Sequence, residues 1–564
     1  MRARREAKKR AKLMELCGTG GIVNGEIGED IMQRAKRTSK KCECGAMLYA
    51  GVDSDGLWVI RKLQNEHDNH TPKPSDAKLV KEYRMKNYTS NVKKKLLNFY
   101  EEGVSVRQIH GCMATETGDD NLPSVKDLEH EVSKEKRLKM EGGDAAAMMA
   151  YFDRMQEDNQ NFYHAHRLDE EGRLKDVLWV DARSRVAYED FGDVVCFDAT
   201  YLTNSYALPF ANFVGVNHHG QSILLGCALV SHEDCDTFGW VFRQWISCMG
   251  NKQPGAILTD QAAVMRKPLA QVMPNARHRW CIWHIMKKIP DKLGKCEHYH
   301  DFKSPLKALV YESFTVAEFE RRWINFIKHF ELEDNDWLAD LFEERHMWVP
   351  AFMKEHFWAG MKTTQRVESI NSFFDGFVNR KTKLYEFPDK YTRVMGRRVK
   401  AETDADARCG KYLRRLVSGF FVEQFFRDIY TDTKFQEIQI ECCRLMHCSG
   451  REERVLEGNM FQYLLEDRVW IIPEGKSEEE ITDRRRFYCV LYNTVTKDVS
   501  CDCCKFETFG ILCRHIIRVY DQNRVFEIPS KYVLDQNRVS LLIRYGPLVF
   551  HSTMIENPYE LIPH

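Results

Sequence analysis

Four residues near the end of the chain have the types and the spacing of a metal site. They read Cys501-x-Cys503 and, after a short spacer, Cys513-x-His515. Three thiolates and an imidazole form a soft tetrahedral ligand set that suits Zn²⁺. The alternative is a buried cysteine pair beside a core histidine, since free cysteine is often simply a small hydrophobe. Two ligand pairs in tandem favour zinc over that alternative.

A second group of ligand-type residues lies near the beginning of the chain. Cys44 precedes a strand-like run with alternating apolar positions, and His67 and His70 follow that run. Together they supply three zinc ligands, and either Cys17 or Cys42 supplies the fourth. We favour Cys17, because Cys42 and Cys44 form a strained pair without a second cysteine pair opposite. The alternative is an exposed histidine pair beside unrelated cysteines.

Three carboxylates occupy positions that an α/β arrangement of strands and helices is expected to bring together. Asp198 and Asp260 end the first and fourth of five predicted strands, and Glu368 lies on a later helix. Three strands, a helix, a strand, a helix and a strand is the ribonuclease H-like order, in which the first and fourth strands are adjacent. Converging carboxylates suit Mg²⁺ or Mn²⁺, and two such ions can catalyse phosphodiester transfer. The alternative is a set of solvent-facing acids at strand ends.

The elements that position these residues are predicted from apolar periodicity and turn residues. A helix with apolar residues from Phe238 to Met249 follows an N-capping Asp236. The helix of Glu368 is expected to bury Ile370, Phe373, Phe374 and Phe377. The predicted strands of the central domain and the predicted C-terminal hairpin cover residues 193–198, 210–216, 222–230, 256–260, 278–283, 488–492 and 494–499.

Composition limits the classes of function. The 564 residues imply three or more domains, and 83 basic residues balance 83 acidic ones. A nucleic-acid surface must therefore be a local patch. Nineteen cysteines without a secretory leader indicate reduced thiols, and the most apolar stretch, 207–230, is interrupted by polar residues. We expect a soluble intracellular protein, with no membrane partner, and the basic run 2–12 favours the nucleus over its alternative, a frayed solvated helix.

The motifs together resemble the plant FAR-RED IMPAIRED RESPONSE family of transposase-derived regulators. Cys501 to His515 looks like a SWIM zinc finger, and Cys44 to His70 resembles a shortened WRKY–GCM-type zinc finger. The run Phe213-Val-Gly-Val-Asn-His-His-Gly-Gln221 and the segment Thr363-Thr-Gln-Arg-x-Glu-Ser look like the Mutator-like (MULE) transposase core. By that resemblance Asp198, Asp260 and Glu368 are its DDE triad.

The same resemblance assigns Cys281 and His284 to the C-x-x-H signature of the transposase core. As bare chemistry this pair could bind a metal ion, but the sequence offers no partner pair beside it. We favour a role in shaping the acidic site, with an ordinary core position as the alternative.

The resemblance implies a multidomain α+β and α/β chain. The expected order is a basic leader and WRKY–GCM-like finger (1–75), a mainly helical linker (76–190), a ribonuclease H-like MULE core (191–385) with a helical insertion at about 289–360, a helical region (386–485), a SWIM finger (486–522) and a tail (523–564).

The function implied is a zinc-dependent nuclear regulator of transcription that binds double-stranded DNA, and that is no longer an enzyme. Its expected partners are other family members, as homodimer or heterodimer, and transcription regulators. Two alternatives stay open. One is an active Mutator-like transposase that cuts and joins DNA, and the other is a truncated partner that dimerises with longer relatives without binding DNA.

Overall fold

The computed structural model describes residues 44–71, 73, 81–101, 103–117, 122–139, 142–200, 204–294, 296, 299–361, 363–471 and 479–538. The chain divides into two compact units, Met1–His130 and Glu131–His564. Cys17, Cys42, the basic run 2–12 and most of the predicted tail lie outside the described residues.

The first unit contains a β-hairpin followed by helices. Strands β1 (Met47–Val52) and β2 (Trp58–Gln64) pair antiparallel. The Asp53 side chain accepts hydrogen bonds from the backbone N–H groups of Asp55 and Leu57, and this fixes the connecting turn. The helices are α1 (Lys81–Arg84), α2 (Ser90–Glu101), α3 (Val106–Thr117) and α4 (Val125–Lys139), and the boundary between the units falls within α4.

A seven-stranded sheet forms the centre of the second unit. Its strands are β3 (Tyr163–Leu168), β4 (Leu174–Val180), β5 (Val194–Thr200), β6 (Phe210–Val216), β7 (Ser222–Leu229), β8 (Ala256–Thr259) and β9 (Arg277–Trp280). Their spatial order is β3-β4-β7-β6-β5-β8-β9, with β5, β8 and β9 parallel to one another. The predicted adjacency of the first and fourth core strands, β5 and β8, is confirmed.

Helices cover both faces of this sheet because successive residues of β5 point to opposite sides. Val194 and Cys196 belong to one apolar core, and Val195 and Phe197 to the other. The helices that flank the sheet and follow it are α5 (Asp144–Asp158), α6 (Ala182–Phe191), α7 (Cys235–Cys248), α8 (Ala263–Val272), α13 (Gln365–Asp375) and α14 (Phe387–Lys411).

A helical insertion with its own apolar core separates β9 from α13. It consists of α9 (Ile282–Leu293), α10 (Tyr299–Glu312), α11 (Val316–His329) and α12 (Asp336–Glu343). Short 3₁₀ helices in the chain cover Met85–Asn87, Glu344–Met347, Pro350–Phe352, Leu384–Glu386, Leu445–His447, Ser530–Tyr532 and Asp535–Asn537. The predicted helical character of this insertion is confirmed.

The C-terminal part of the second unit packs helices against a four-stranded antiparallel sheet. Its strands are β10 (Ser449–Val455), β11 (Met460–Ile471), β12 (Glu480–Asn493) and β13 (Val499–Cys501), in that spatial order. Its helices are α15 (Phe421–Arg427), α16 (Asp432–Arg444), α17 (Lys505–Phe509) and α18 (Arg514–Gln522). They share one apolar core, so the predicted SWIM residues are part of a larger folded region.

Several predicted elements are wrong in detail. The N-cap of α7 is Asp234, whose side chain accepts the N–H of Thr237, and not Asp236. Phe373 is 39% exposed instead of buried, because the inward face of α13 carries Val367, Ile370 and Phe374.

The region 386–485, predicted as helical, also holds β10, β11 and the start of β12. The seven residues of β10 are all exposed, so this edge strand lacks the apolar alternation by which strands are recognised. The predicted strand 494–499 is mostly the turn between β12 and β13. The predicted linker also contributes β3 and β4 to the central sheet.

Among the helices that the structure describes, none is both long enough and apolar enough to cross a bilayer.

Candidate metal centres and acidic cluster

The four C-terminal ligand residues, here the C-terminal quartet, come from three local structures. Cys501 ends β13, Cys503 lies in the turn that follows, and Cys513 is the N-cap of α18 with His515 in its first turn. Gly510 ends α17 with a φ of +71°, which favours glycine. An added Cβ at Gly510 would lie 2.3 Å from a methyl carbon of Leu534, so this close approach also requires glycine.

The donor atoms of the quartet have the spacing of a tetrahedral zinc site. One donor atom from each residue lies within 4.8 Å of all the others. Sγ of Cys501 is 3.6 Å from Nδ1 of His515. A tetrahedral ion with a Zn–S bond of about 2.3 Å and a Zn–N bond of about 2.0–2.1 Å sets this edge at roughly 3.6 Å. The residues therefore fit zinc, with Nδ1 as the ligand atom of His515.

The N-terminus of α18 favours the thiolate form of Cys513 that a metal needs. Burial alone would raise the pKa of Cys513, but hydrogen bonds from Cys501, Cys503 and the backbone N–H of Ile516 outweigh it and lower that pKa well below its ordinary value. A thiolate at a helix N-terminus also gains from the helix dipole. Cys513 is thus both a helix cap and a ligand.

A buried carboxylate contacts the imidazole nitrogen of His515 that faces away from the thiols. Oδ2 of Asp467, on β11, is 3.2 Å from Nε2 of His515, and the Tyr488 ring stacks on the imidazole with centroids 4.0 Å apart. This contact leaves Nδ1 directed at the thiols, which is the usual outer-sphere arrangement of a zinc-bound histidine. Asp467 is 0% exposed and was not identified from the sequence, because 48 residues separate it from His515.

Glu441 joins α16 to the same region. Its side chain is fully buried, and it accepts hydrogen bonds from Nζ of Lys505 at 2.5 Å and from the backbone N–H of Arg514 at 2.9 Å. Burial would raise the pKa of Glu441, but the two cationic side chains outweigh it and hold that pKa at about 2. The ionised carboxylate therefore holds α17 and the start of α18 against α16.

In the first unit, Cys44, His67 and His70 form what we name the N-terminal trio. Their donor atoms lie within 4.8 Å of one another, and Sγ of Cys44 is 3.5 Å from Nδ1 of His67. This edge is also close to the roughly 3.6 Å of a tetrahedral zinc site. Nδ1 of His70 contacts the carbonyl of Asp68 at 3.2 Å. The trio fits three ligands of a zinc ion, and both proposed fourth ligands lie outside the described residues.

The sheet register places two acids side by side. In the parallel β5–β8 pair, Cys196 is opposite Leu258, so Asp198 and Asp260 each follow two residues later along adjacent segments of the chain. Glu368 lies in the first turn of α13. A hydrogen bond of 2.8 Å from Asn212, opposite Asp198 on β6, to Asn371 holds α13 over the sheet. We name Asp198, Asp260 and Glu368 the acidic cluster.

The Cys281–His284 pair borders this cluster. Nε2 of His284 is 4.0 Å from Oε1 of Glu368. The Thr364 hydroxyl, just before α13, donates to Sγ of Cys281 at 3.3 Å and lies 3.5 Å from Nδ1 of His284. Contact with the Cys281 thiol raises the pKa of His284, and the charges of Asp198 and Asp260 raise it further. The pair therefore joins α9, α13 and the acids, and it has no position in the C-terminal quartet or the N-terminal trio.

Electrostatics show how closely the acids interact. Burial raises the pKa of Asp198 to about 7; the charge of His284 is the next largest effect and lowers that pKa, while the charges of Asp260 and then Glu368 raise it. Burial also raises the pKa of Asp260, whose Oδ1 is buried without a hydrogen-bond partner among the described residues. A divalent cation would stabilise the ionised carboxylates and would give Oδ1 of Asp260 a partner. Because the donors are oxygens, the acids fit Mg²⁺ or Mn²⁺. Their donor atoms are more widely spaced than in the quartet, since no group of three acids falls within 4.8 Å in the described part of the chain.

Two stretches of the chain match known domain families. Residues 194–288 match the MULE transposase domain, and residues 488–522 match the SWIM zinc finger. The first match contains Asp198, Asp260, Cys281 and His284 and ends before Glu368. The second contains the whole C-terminal quartet, so the four residues that fit zinc lie within a SWIM zinc finger domain.

Relatives extend the similarity beyond these two stretches. Protein FAR1-RELATED SEQUENCE 6 of Arabidopsis thaliana is 30% identical over 540 residues, which is 95% of this chain and 73% of the relative. The chain belongs to the FAR1-RELATED SEQUENCE family. Two other members from Arabidopsis thaliana are 32% identical: protein FAR-RED IMPAIRED RESPONSE 1 over 504 residues and protein FAR1-RELATED SEQUENCE 4 over 505.

This FAR1-RELATED SEQUENCE chain spans only part of some relatives. It matches 59% of the length of protein FAR-RED IMPAIRED RESPONSE 1 and 65% of protein FAR1-RELATED SEQUENCE 4. The predicted family is confirmed, as are the MULE and SWIM domains. Asp467 and Glu441, which support the quartet, were identified only from the structure. The sequence signal that could have identified them is an acidic residue at a buried position of a strand or helix, because such a residue needs a partner.

Proposed function

We propose that this chain is a nuclear, zinc-dependent regulator of transcription that binds double-stranded DNA, built on a ribonuclease H-like transposase core. The observation that supports it best is the order of its parts. A zinc-spaced N-terminal trio precedes a MULE domain, and a SWIM finger follows that domain. The SWIM zinc ion stabilises the C-terminal core, since the quartet lies within that core.

The β1–β2 hairpin is the part that we assign to DNA. All seven residues of β2 are exposed, including Trp58, Ile60 and Lys62. A two-stranded ribbon fits the major groove of B-DNA, where base edges are distinguishable. The N-terminal trio lies next to the open end of this hairpin in the sequence, so a zinc ion there would hold the ribbon in one shape. Arg61 already contacts the carbonyl of Val52 across the hairpin, at 3.1 Å.

The remaining surfaces serve assembly in this proposal. The chain carries equal numbers of acidic and basic residues, so it attracts phosphate only through local patches. Other family members, as homodimer or heterodimer, and transcription regulators are the expected partners of the helical insertion and the C-terminal region. In this proposal the basic run 2–12 is the nuclear localisation signal.

The test is a DNA selection experiment with the purified, zinc-loaded chain. Random duplexes retained by the wild type should converge on one motif, and His67→Ala should abolish that enrichment. His110→Ala, a substitution on α3 away from the trio, serves as the matched control and should keep it. Equal enrichment by His67→Ala would exclude the N-terminal trio as part of the DNA reader.

A second function has one specific observation in its favour. The acidic cluster holds two half-buried carboxylates, Asp198 on β5 and Asp260 just after the parallel strand β8; both have raised pKa values, and Oδ1 of Asp260 has no hydrogen-bond partner among the described residues. Such a site suits the divalent cations of phosphodiester transfer. Incubation with Mg²⁺ or Mn²⁺ and terminal-repeat DNA decides: our proposal expects no cleavage, whereas cleavage that Asp260→Asn abolishes would establish an active transposase.

A further inference from the structure

A third group of metal-ligand residues shares no member with the C-terminal quartet, the N-terminal trio or the acidic cluster. His218 and His219 occupy the turn between β6 and β7, and Asp406 lies on α14. One donor atom from each of the three residues lies within 4.8 Å of the other two. The sequence places these histidines in a turn, and 187 residues separate His219 from Asp406, so no motif marks the group.

Both imidazoles face the same carboxylate oxygen. Oδ1 of Asp406 is 2.6 Å from Nε2 of His219 and 3.5 Å from Nε2 of His218. In a tetrahedral zinc site, bonds of about 2.0–2.2 Å to nitrogen and oxygen set such edges at roughly 3.3 Å. The distance from Asp406 to His218 is close to this value. The shorter distance from Asp406 to His219 is that of a hydrogen bond, and an ion would replace this bond if the two side chains moved apart by less than about 1 Å.

Burial makes the present arrangement costly without an ion. His218 is 1% exposed, and within the described residues its Nδ1 has no hydrogen-bond partner, while its Nε2 has only the 3.5 Å contact with Asp406. A buried polar group without a hydrogen bond destabilises the fold, because the group has lost its hydrogen bonds to water. An ion bound at Nε2 would satisfy one of these two nitrogens. The Asp406 side chain is 22% exposed, so the site has an opening to solvent.

Surrounding contacts hold the two histidines in place. The Asn217 side chain accepts the backbone N–H of His219 at 3.0 Å, and the Thr431 hydroxyl donates to the carbonyl of His218 at 2.5 Å. Sγ of Cys409, one turn after Asp406, is 4.0 Å from Nδ1 of His219. A contact at Nδ1 leaves Nε2 of His219 for a ligand, as in known zinc-binding histidines.

We propose that His218, His219 and Asp406 bind a Zn²⁺ ion, with water in the fourth position. Two imidazoles and a carboxylate are ligands that zinc accepts. The ion would clamp the β6–β7 turn of the central sheet to α14, the long helix that leads into the C-terminal region. This inference is independent of DNA binding, because none of the three residues belongs to the N-terminal trio or the SWIM finger.

The test is the cobalt content and absorption spectrum of the full chain after exchange of zinc for Co²⁺. The cysteine-containing sites give thiolate-to-cobalt bands, and the proposed site contributes bound cobalt without such a band. Asp406→Asn should lose one equivalent of cobalt per chain with the thiolate bands unchanged. Asp404→Asn, an exposed position on the same helix, is the matched control and should lose none.

His218→Gln provides a second variant, because the amide keeps a polar side chain of similar reach while it removes the imidazole. Loss of the same single equivalent by both variants, with wild-type thiolate bands as evidence of folding, supports the site. Wild-type cobalt content in either folded variant would overturn it. If both variants lose the thiolate bands, the cobalt content of the wild type is used instead. The cobalt bound by the cysteine-containing sites, and the cobalt that Asp198→Asn loses from the acidic cluster, are subtracted from the wild-type total. A remaining equivalent supports the site, and no remaining cobalt overturns it.

Discussion

His515 can present Nδ1 to the thiols of the SWIM finger because Asp467 lies against its other nitrogen. The two atoms, Nε2 and Oδ2, are 3.2 Å apart, and Asp467 is fully buried. At the scale of single residues, the zinc site therefore extends beyond its four ligands. The carboxylate fixes the tautomer and the orientation of the ring, and it makes the imidazole a better donor.

We predict that Asp467→Asn weakens zinc binding by the quartet about 10–100-fold, because loss of such a supporting carboxylate has effects of that size. Competition with a chromogenic chelator measures the change. Asp483→Asn, at a fully exposed carboxylate on β12, is the control and should bind zinc like the wild type. Unchanged affinity in Asp467→Asn would show that the four ligands alone determine binding.

A second residue-scale prediction concerns pH and the start of α4. Hydrogen bonds from the Arg84 side chain outweigh burial and, with the Ser124 hydroxyl and N–H, hold the pKa of Asp127 at about 2 against an ordinary 3.8. A carboxyl group with a lowered pKa stabilises the fold above pH 4, and this contribution disappears as pH falls through about 2. At neutral pH, Asp127→Asn should cost roughly 1–2 kcal/mol, since Arg84 is partly exposed to solvent.

Hydrogen exchange of the α4 amides, compared between variant and wild type, measures this cost. The difference in protection should be largest at neutral pH and should shrink as pH approaches 2. Glu157→Gln, at an exposed carboxylate on α5, should show no difference at any pH. A deficit in Asp127→Asn that persists undiminished at pH 2 would contradict the ionic origin of the effect.

At the scale of elements, the SWIM finger contacts the segment that leads to the helix of Glu368. The backbone N–H of Trp358 donates to the carbonyl of Thr508, on α17, at 2.9 Å. The Arg279 guanidinium, on β9, lies 5.2 Å from the centre of the Trp358 ring. The SWIM finger is therefore packed, within one unit, against the segment that precedes the helix of Glu368.

We predict that Cys513→Ser, which removes a zinc ligand and the cap of α18, raises hydrogen exchange at residues 357–361 as well as in α18 itself. Cys443→Ser, an exposed cysteine on α16, is the matched control and should leave both regions protected. If residues 357–361 keep their wild-type protection in Cys513→Ser, the contact through Thr508 transmits nothing from the zinc site.

The elements of the central sheet could be predicted because their residues are strongly patterned. Val194 to Phe197 form a buried run that predicts the strand of Asp198, although β5 continues to Thr200, and Asp260 directly follows β8; the order of these strands follows from the connections between them. The quartet could be predicted because its ligands are close together in the sequence. Short-range pattern was sufficient for both.

Other features depend on contacts that are distant in sequence. The strand β10 is exposed along its whole length, so nothing in its composition separates it from a polar helix. Asp467, Glu441 and the pair His218–Asp406 act across tens to hundreds of residues, and only the folded chain brings them together. Phe373 was predicted to be buried, but α13 carries four large apolar residues, Val367, Ile370, Phe373 and Phe374, and its buried face has room for only three of them.

At the scale of the whole molecule, the order of parts supports the proposed regulator. A balanced net charge gives no overall attraction to DNA, and in our proposal the exposed β1–β2 hairpin supplies the specific contacts. We predict that the full chain binds duplex DNA with a weak dependence on salt, because few phosphates are neutralised. A steep loss of affinity with salt would indicate a larger basic surface.

The most direct test of the proposed function is chromatin immunoprecipitation of the tagged chain from nuclei, with wild type and Cys44→Ser side by side. Cys112→Ser, an exposed cysteine of the same unit, controls for the loss of a thiol. We predict that the wild type and Cys112→Ser are enriched at a shared set of genomic sites and that Cys44→Ser is not. No enrichment of the wild type over an untagged sample, or equal enrichment of Cys44→Ser, would contradict a DNA-binding regulator that reads its sites through the N-terminal trio.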